Sequence, residues 1–295
     1  MAMNFRFLQQ FLVDSMQPSL TFIALVGLIL SISQLASAQH PQTGAAGAAV
    51  PFNFSVEEFG QVQVKDVAKE KVDPSDQPHM PFDAPEHKCY HLEEKRPLPA
   101  LEKGARYFFP AYSFVCIVPT SDPSERDFAK AYPNFNKAVD QIRDLMKTKP
   151  GKFRQFDDLF DFPYNNAGWS VKAKIEYLDF SKVSGVFFLT QYSQDMTPTP
   201  LNNEELTAVF QGLTKDGKFY VAARFSITHP ALPRGIDFVD EKAQDNCLQF
   251  KYPAIDDCVR TYLKAESNRL EKFSDKDFQP SLSSIKSLLG SISPK

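Results

Sequence analysis

Apolar positions along this chain fall into two rhythms, one of period two and one of period three to four. Phe114 to Val118 (FVCIV) is a short apolar run between Tyr112 and Pro119, which marks a buried strand. Ser121-Asp122-Pro123 supplies a cap and a proline for a short turn. From Pro133 the rhythm changes, with Phe135, Ala138, Val139, Ile142, Leu145 and Met146 on one stripe. That spacing predicts an amphipathic helix, stopped by Pro150-Gly151. Beyond the linker Lys152 to Asn166, strands are expected over Val171 to Phe180, Gly185 to Tyr192, Glu205 to Leu213 and Lys218 to Ile227. Asp216-Gly217 between the last two predicts a hairpin, because Gly accepts the positive φ of a tight turn. In the last strand Phe219, Val221, Ala223, Phe225 and Ile227 share one face, expected to be core. Tyr220, Ala222, Arg224, Ser226 and Thr228 share the other, which reads as mixed. Two further stripes predict C-terminal helices: Ile255, Cys258, Val259, Tyr262 and Leu263, then Leu282, Ile285, Leu288, Leu289 and Ile292 after Pro280-Ser281. Strands followed by helices predict an α+β class, a mainly antiparallel sheet packed against amphipathic helices as an α/β sandwich.

The N-terminal part is less regular. Leu20 to Leu30 is an apolar run followed by Ala36-Ser37-Ala38, with Arg6 upstream. This predicts a signal peptide over residues 1–38. The run is shorter than the roughly 20 apolar residues a spanning helix needs, so no stable membrane span is expected after cleavage. Residues 39–51 read as a flexible lead-in, and 52–106 as N-terminal strands with an irregular extension. Within that extension Phe52 to Val62 is expected as an edge strand and Val64 to Pro85 as a surface connection. Residues 107–295 form the expected main α+β domain.

Composition refines this picture only in part. The chain has 295 residues, 27 of them Phe, and a net charge of −3. That balance gives no electrostatic footprint for nucleic acid. Cys89, Cys116, Cys247 and Cys258 form an even set in a chain expected to be exported, which favours disulfides. Of the pairings open to four cysteines, the most local joins Cys89 to Cys116 and Cys247 to Cys258. Together these observations predict a protein secreted outside the cell or into a periplasm.

Catalytic signatures such as G-x-S-x-G, H-E-x-x-H and glycine-rich phosphate loops are missing, and no cofactor is expected. His87, Cys89 and His91 alternate, so on a strand they form a face of metal-ligand chemistry, with His79, Asp83 and Glu86 nearby. The competing claim on Cys89 is a disulfide, and no metal site is expected. Asn53-Phe54-Ser55 matches a glycosylation sequon. Between strands, turn chemistry explains the prolines of Asp195 to Asn203, but not all of its polar neighbours. Gln191, Tyr192, Gln194, Asn202, Asn203 and Gln211 are amides and a phenol without an evident backbone duty. They are the candidate ligand-binding surface. No catalytic residue is assigned.

The order of Leu178-Asp179-Phe180, Phe188-Leu189-Thr190-Gln191-Tyr192, Leu201 to Leu206, Phe210 to Thr214, Asp216 to Val221 and His229-Pro230-Ala231-Leu232-Pro233 resembles an uncharacterised family of exported, mostly bacterial proteins. Its pattern is YLDF, RFLTQY, INN-x-EL, FQGLT, DGKYYV and HP-x-LP, and the tail Asp277 to Ile292 is similar to that family's closing segment. Phe187 departs from it where Arg is usual, as does Thr207-Ala208-Val209 where aromatics are. The resemblance implies, by analogy of fold, a Mog1/PsbP-like α/β sandwich, a scaffold better known for binding than for catalysis. The expected function is a secreted, non-enzymatic binding or accessory module for an extracellular or envelope protein or a small ligand. The alternative is an extracellular hydrolase built from Asp195, Glu204 and His229, which requires the three to meet in a concave pocket.

Overall fold

The computed structural model describes residues 50–53, 58–69, 83–94, 113–149, 162–163, 168–193, 200–235, 247 and 254–294. The chain divides into Met1–Ala38 and Gln39–Lys295, and only the second unit includes described residues. The expected signal segment therefore lies outside the description. Among the described residues no helix is long and apolar enough to cross a membrane.

The strands are β1 (Phe59–Val67), β2 (His87–Glu94), β3 (Ser113–Pro119), β4 (Gly168–Asp179), β5 (Val183–Ser193), β6 (Leu206–Thr214) and β7 (Phe219–Ser226). They form one seven-stranded sheet, order β1-β2-β3-β7-β6-β5-β4, in which every pairing is antiparallel. The expected edge strand exists, shifted along the chain to Phe59–Val67, so Val64 to Val67 belong to the sheet rather than to a surface connection. Strand β2, in the stretch read as an extension, hydrogen-bonds both β1 and β3. The helices are α1 (Phe128–Ala131), α2 (Pro133–Thr148), α3 (Ala254–Glu271) and α4 (Leu282–Gly290), with a 3₁₀ turn at Asp275–Asp277.

Both faces of the sheet are covered. On one, Val221, Ala223 and Phe225 of β7 join Ala208, Phe210, Phe187 and Leu189 under Leu270 and the stripe Leu282, Ile285, Leu288, Leu289 and Ile292. On the other, Cys116, Tyr220, Ala222, Val209 and Phe188 meet Phe135, Ala138, Val139 and Ile142 of α2, with Phe162 filling the space between. The far face of β7, expected to be mixed, is thus largely core. As a central strand with helices on both sides, it hides Tyr220, Ala222 and Ser226 as well as its other stripe. Burying an aromatic or branched side chain contributes about 1.5–3 kcal/mol, so two filled faces supply a large part of the stability.

Simple alternation also fails in β4. Val171 and Ala173 face the α3–α4 side, whereas Trp169, Ile175 and Tyr177 face the α2 side. Register shifts between Trp169 and Val171 and between Ala173 and Glu176 cause the exchange, the second with Lys174 at φ 51°. An extra residue in one strand of a ladder turns the following side chains to the opposite face. As the outer strand, β4 would offer unpaired N–H groups to other chains. Helix α3 occupies them instead, Ser267 Oγ accepting from Lys172 N at 3.2 Å and Glu271 Oε1 from Lys174 N at 2.7 Å.

Of the three pairings left open the cysteines take the most local, Cys89 with Cys116 and Cys247 with Cys258. The first joins residues directly opposite in the β2–β3 ladder. The second fastens Cys247 to the first turns of α3. Two disulfides fit an extracellular protein.

Candidate functional site

Strands β5 and β6 are joined through residues 194–205, of which 200–205 are described. This is the polar stretch from which the candidate surface was drawn, and its amides bond the backbone. Gln191 is buried, its Nε2 donating to the Pro200 carbonyl at 3.1 Å and its Oε1 accepting from Asn202 N at 3.2 Å. Asn202 is buried beside it. Its Oδ1 accepts from the N–H groups of Glu204 and Glu205 at 3.0 and 3.1 Å, the Asx geometry that starts a turn. Its Nδ2 donates to the Pro200 carbonyl at 3.2 Å and to Glu205 Oε2 at 2.9 Å.

Asn203 reaches into the loop after β7. Its Nδ2 donates to the carbonyls of His229 and Leu232 at 3.2 and 3.0 Å, and its Oδ1 accepts from His229 N at 2.7 Å. Its own N–H donates to the Pro233 carbonyl at 2.9 Å. The two motif-like stretches LNNEEL and HPALP are therefore two halves of one lock. Gln191, Asn202 and Asn203 converge on it.

Gln211 does not. It lies across from Val186 on the α2 side, where Nε2 donates to the Phe162 carbonyl at 2.7 Å and Oε1 accepts from the Tyr220 hydroxyl at 2.7 Å. Tyr192 is buried on that side too, the Arg224 guanidinium 5.0 Å from its ring centroid. Gln194 lies outside the described residues, as does Asp195. Each described amide of the candidate set thus has a backbone duty that spacing did not show.

His229 completes the lock. Its ring stacks on Phe273 at 3.7 Å between centroids, with Phe278 at 5.0 Å. Nδ1 accepts from Ala231 N at 3.1 Å, which leaves the proton of the neutral ring on Nε2. Nε2 is buried and has no hydrogen-bond partner among the described residues. Burial holds the ring's pKa below the ordinary value, while Asp277 pulls it up and Arg269 adds to the lowering. Burial likewise pushes the Glu205 carboxyl up, against the hydrogen bond from Asn202 and with help from Glu204. Arg269 spans to the same loop, donating to the Ala231 carbonyl at 2.8 Å. On the outer side Pro230, Ala231 and Arg234 are exposed, Arg234 Nε standing 3.8 Å from Glu204 Oε1.

The face with metal-ligand chemistry is rearranged as well. Asp83, near that set in sequence, is buried, and its carboxylate accepts from Asn134 N at 3.1 Å and Phe135 N at 2.8 Å. It caps α2, whose own preceding residue Tyr132 makes no side-chain cap. His79 lies outside the described residues. His87, Cys89 and Cys116 have donor atoms all within 4.8 Å of one another, both sulfurs being in the disulfide. Cys116 is 27 residues from Cys89 along the chain, and only the β2–β3 ladder brings it into the set.

Scans find no protein-family model that matches this chain, and none of the curated proteins or solved structures matches it.

Proposed function

We propose that this chain is a secreted, non-enzymatic binding or accessory module that meets its partner through the outer side of the lock between residues 200–205 and 229–235. Membership in the exported family with the RFLTQY and HP-x-LP pattern, and kinship with the Mog1/PsbP-like scaffold, belong to the same proposal. One observation carries it: the buried amides Gln191 and Asn202 and the half-buried Asn203 are spent on fixing backbone, so two loops are held rigid at one end of a sheet. Rigid loops on a packed scaffold lose little entropy on binding, which suits recognition. A hydrolytic base, by contrast, needs a free lone pair, and the one on His229 accepts from Ala231 N. The outer side offers exposed Pro230 and Ala231 beside the Glu204–Arg234 pair, a mixed apolar and charged surface matched to a protein of the same compartment.

The test is co-purification of the full chain from its native secretome, read by mass spectrometry, beside Ala231→Arg and Arg234→Glu. A reproducible partner retained by the unaltered protein and weakened at least about tenfold by both substitutions supports the reading. Recovery that neither substitution changes contradicts it. So does a hydrolytic activity of the purified protein that His229→Ala abolishes.

A further inference from the structure

His87 and Cys89 stand two residues apart on β2, so both side chains point to the α2 face of the sheet. Cys116 on β3 lies directly opposite Cys89 and points the same way. All three residues are buried, and their donor atoms lie within 4.8 Å of one another. His87 is held in one tautomer by the backbone. Its Nδ1–H donates to the Pro85 carbonyl at 2.8 Å, which leaves the lone pair on Nε2. A backbone carbonyl on the far nitrogen is the usual partner of a metal-bound imidazole.

We propose that reduction of the Cys89–Cys116 disulfide turns this cluster into a binding site for a divalent cation of the zinc class. A dithiol reductant supplies two electrons and two protons, the S–S bond breaks to two thiols, and the reductant closes to its own disulfide. On metal binding the two thiols release their protons to solvent. Two thiolates and a neutral imidazole then balance the double charge of the cation, so the buried site carries no net charge. Water takes the fourth tetrahedral position.

The site does not need the covalent bond to stay assembled. Strand β3 is internal, paired to β2 on one side and to β7 on the other, and these ladders keep Cys89 opposite Cys116 after reduction. Around a tetrahedral ion with Zn–S of about 2.3 Å the sulfurs stand about 3.8 Å apart, which side-chain rotation on fixed strands provides. Oxidation withdraws both thiolates, so the redox state selects between a closed bridge and a metal site. The zinc-class preference follows from the donors, since thiolate and imidazole disfavour magnesium and calcium.

The test is cobalt(II) titration of the full chain, oxidised and after dithiol reduction, with circular dichroism recorded in parallel. His87→Ala and the double variant Cys247→Ser/Cys258→Ser are titrated alongside. The proposal expects no binding when oxidised and one equivalent when reduced, with a thiolate-to-cobalt absorption band. It expects that band in the serine double variant and a loss of at least about tenfold in affinity in His87→Ala. Three results overturn it: a reduced protein that keeps its spectrum and binds no cobalt, a sheet that unfolds on reduction, or binding that His87→Ala leaves unchanged.

Discussion

His87, His91 and His229 are all drawn into the protein as neutral rings, and burial keeps the pKa of each below the ordinary value of 6.5. Asp277 opposes this at His229, the Pro85 carbonyl opposes it at His87, and the Lys65 charge adds to it at His91. As pH falls through about 6.5, the unfolded chain takes up protons that these folded rings refuse. Their contribution is therefore complete above that pH and lost as pH falls towards the folded values. Glu205, with its raised pKa, works in the opposite direction and regains some stability lower down. Urea unfolding at pH 7.5 and 5.5 should show a lower midpoint at 5.5. Equal midpoints would refute the assignment. Protonation of His229 at Nδ1 also costs the bond from Ala231 N, so the loop after β7 is expected to loosen first.

At the scale of elements, helix α2 shows how local and distant information combine. Its stripe was readable because Phe135, Ala138, Val139 and Ile142 repeat at helical spacing, and all four are buried. Its cap was not, because Asp83 comes from 52 residues before Phe135 and no local pattern links the two. Asp83→Ala leaves two backbone N–H groups at the α2 N-terminus without their acceptor. The expected cost is about 1–2 kcal/mol in chemical denaturation, with the loss read as a lower midpoint at unchanged slope. The same contrast runs through β4 and β6. The hairpin at Asp216-Gly217 was readable from Gly chemistry, and Gly217 sits at φ 71°. The bulge at Lys174 was not, since a non-Gly residue at positive φ leaves no mark in the sequence. In the stretch Phe210-Gln211-Gly212, Gly185 and Gly212 face each other and a Cβ on either would sit 2.7 Å or less from the Phe210 ring. That motif is thus accounted for by packing.

For the whole molecule, the class of fold, the antiparallel sheet and both C-terminal amphipathic helices were legible in the sequence, whereas the cysteine pairing stayed open among three arrangements until the β2–β3 ladder set Cys89 opposite Cys116. The second covered face and the amide duties were hidden, for one physical reason. Gln211 with Phe162, Asn203 with His229 and Asp83 with Phe135 are partners at separations of 49, 26 and 52 residues. Such pairs exist only once the sheet is assembled. A run of Asn, Gln and Glu between strands reads equally as a ligand surface or as loop scaffolding until the partners are known.

Asn203, backed by Gln191 and Asn202, holds the two loops of the lock together. Asn203→Ala removes that link, because this one side chain makes three hydrogen bonds to the backbone of His229 and Leu232. Urea denaturation with both disulfides intact should show a loss of about 2–3 kcal/mol. A midpoint unchanged from the parent protein would contradict it and return Asn203 to the role of a surface amide free for a ligand.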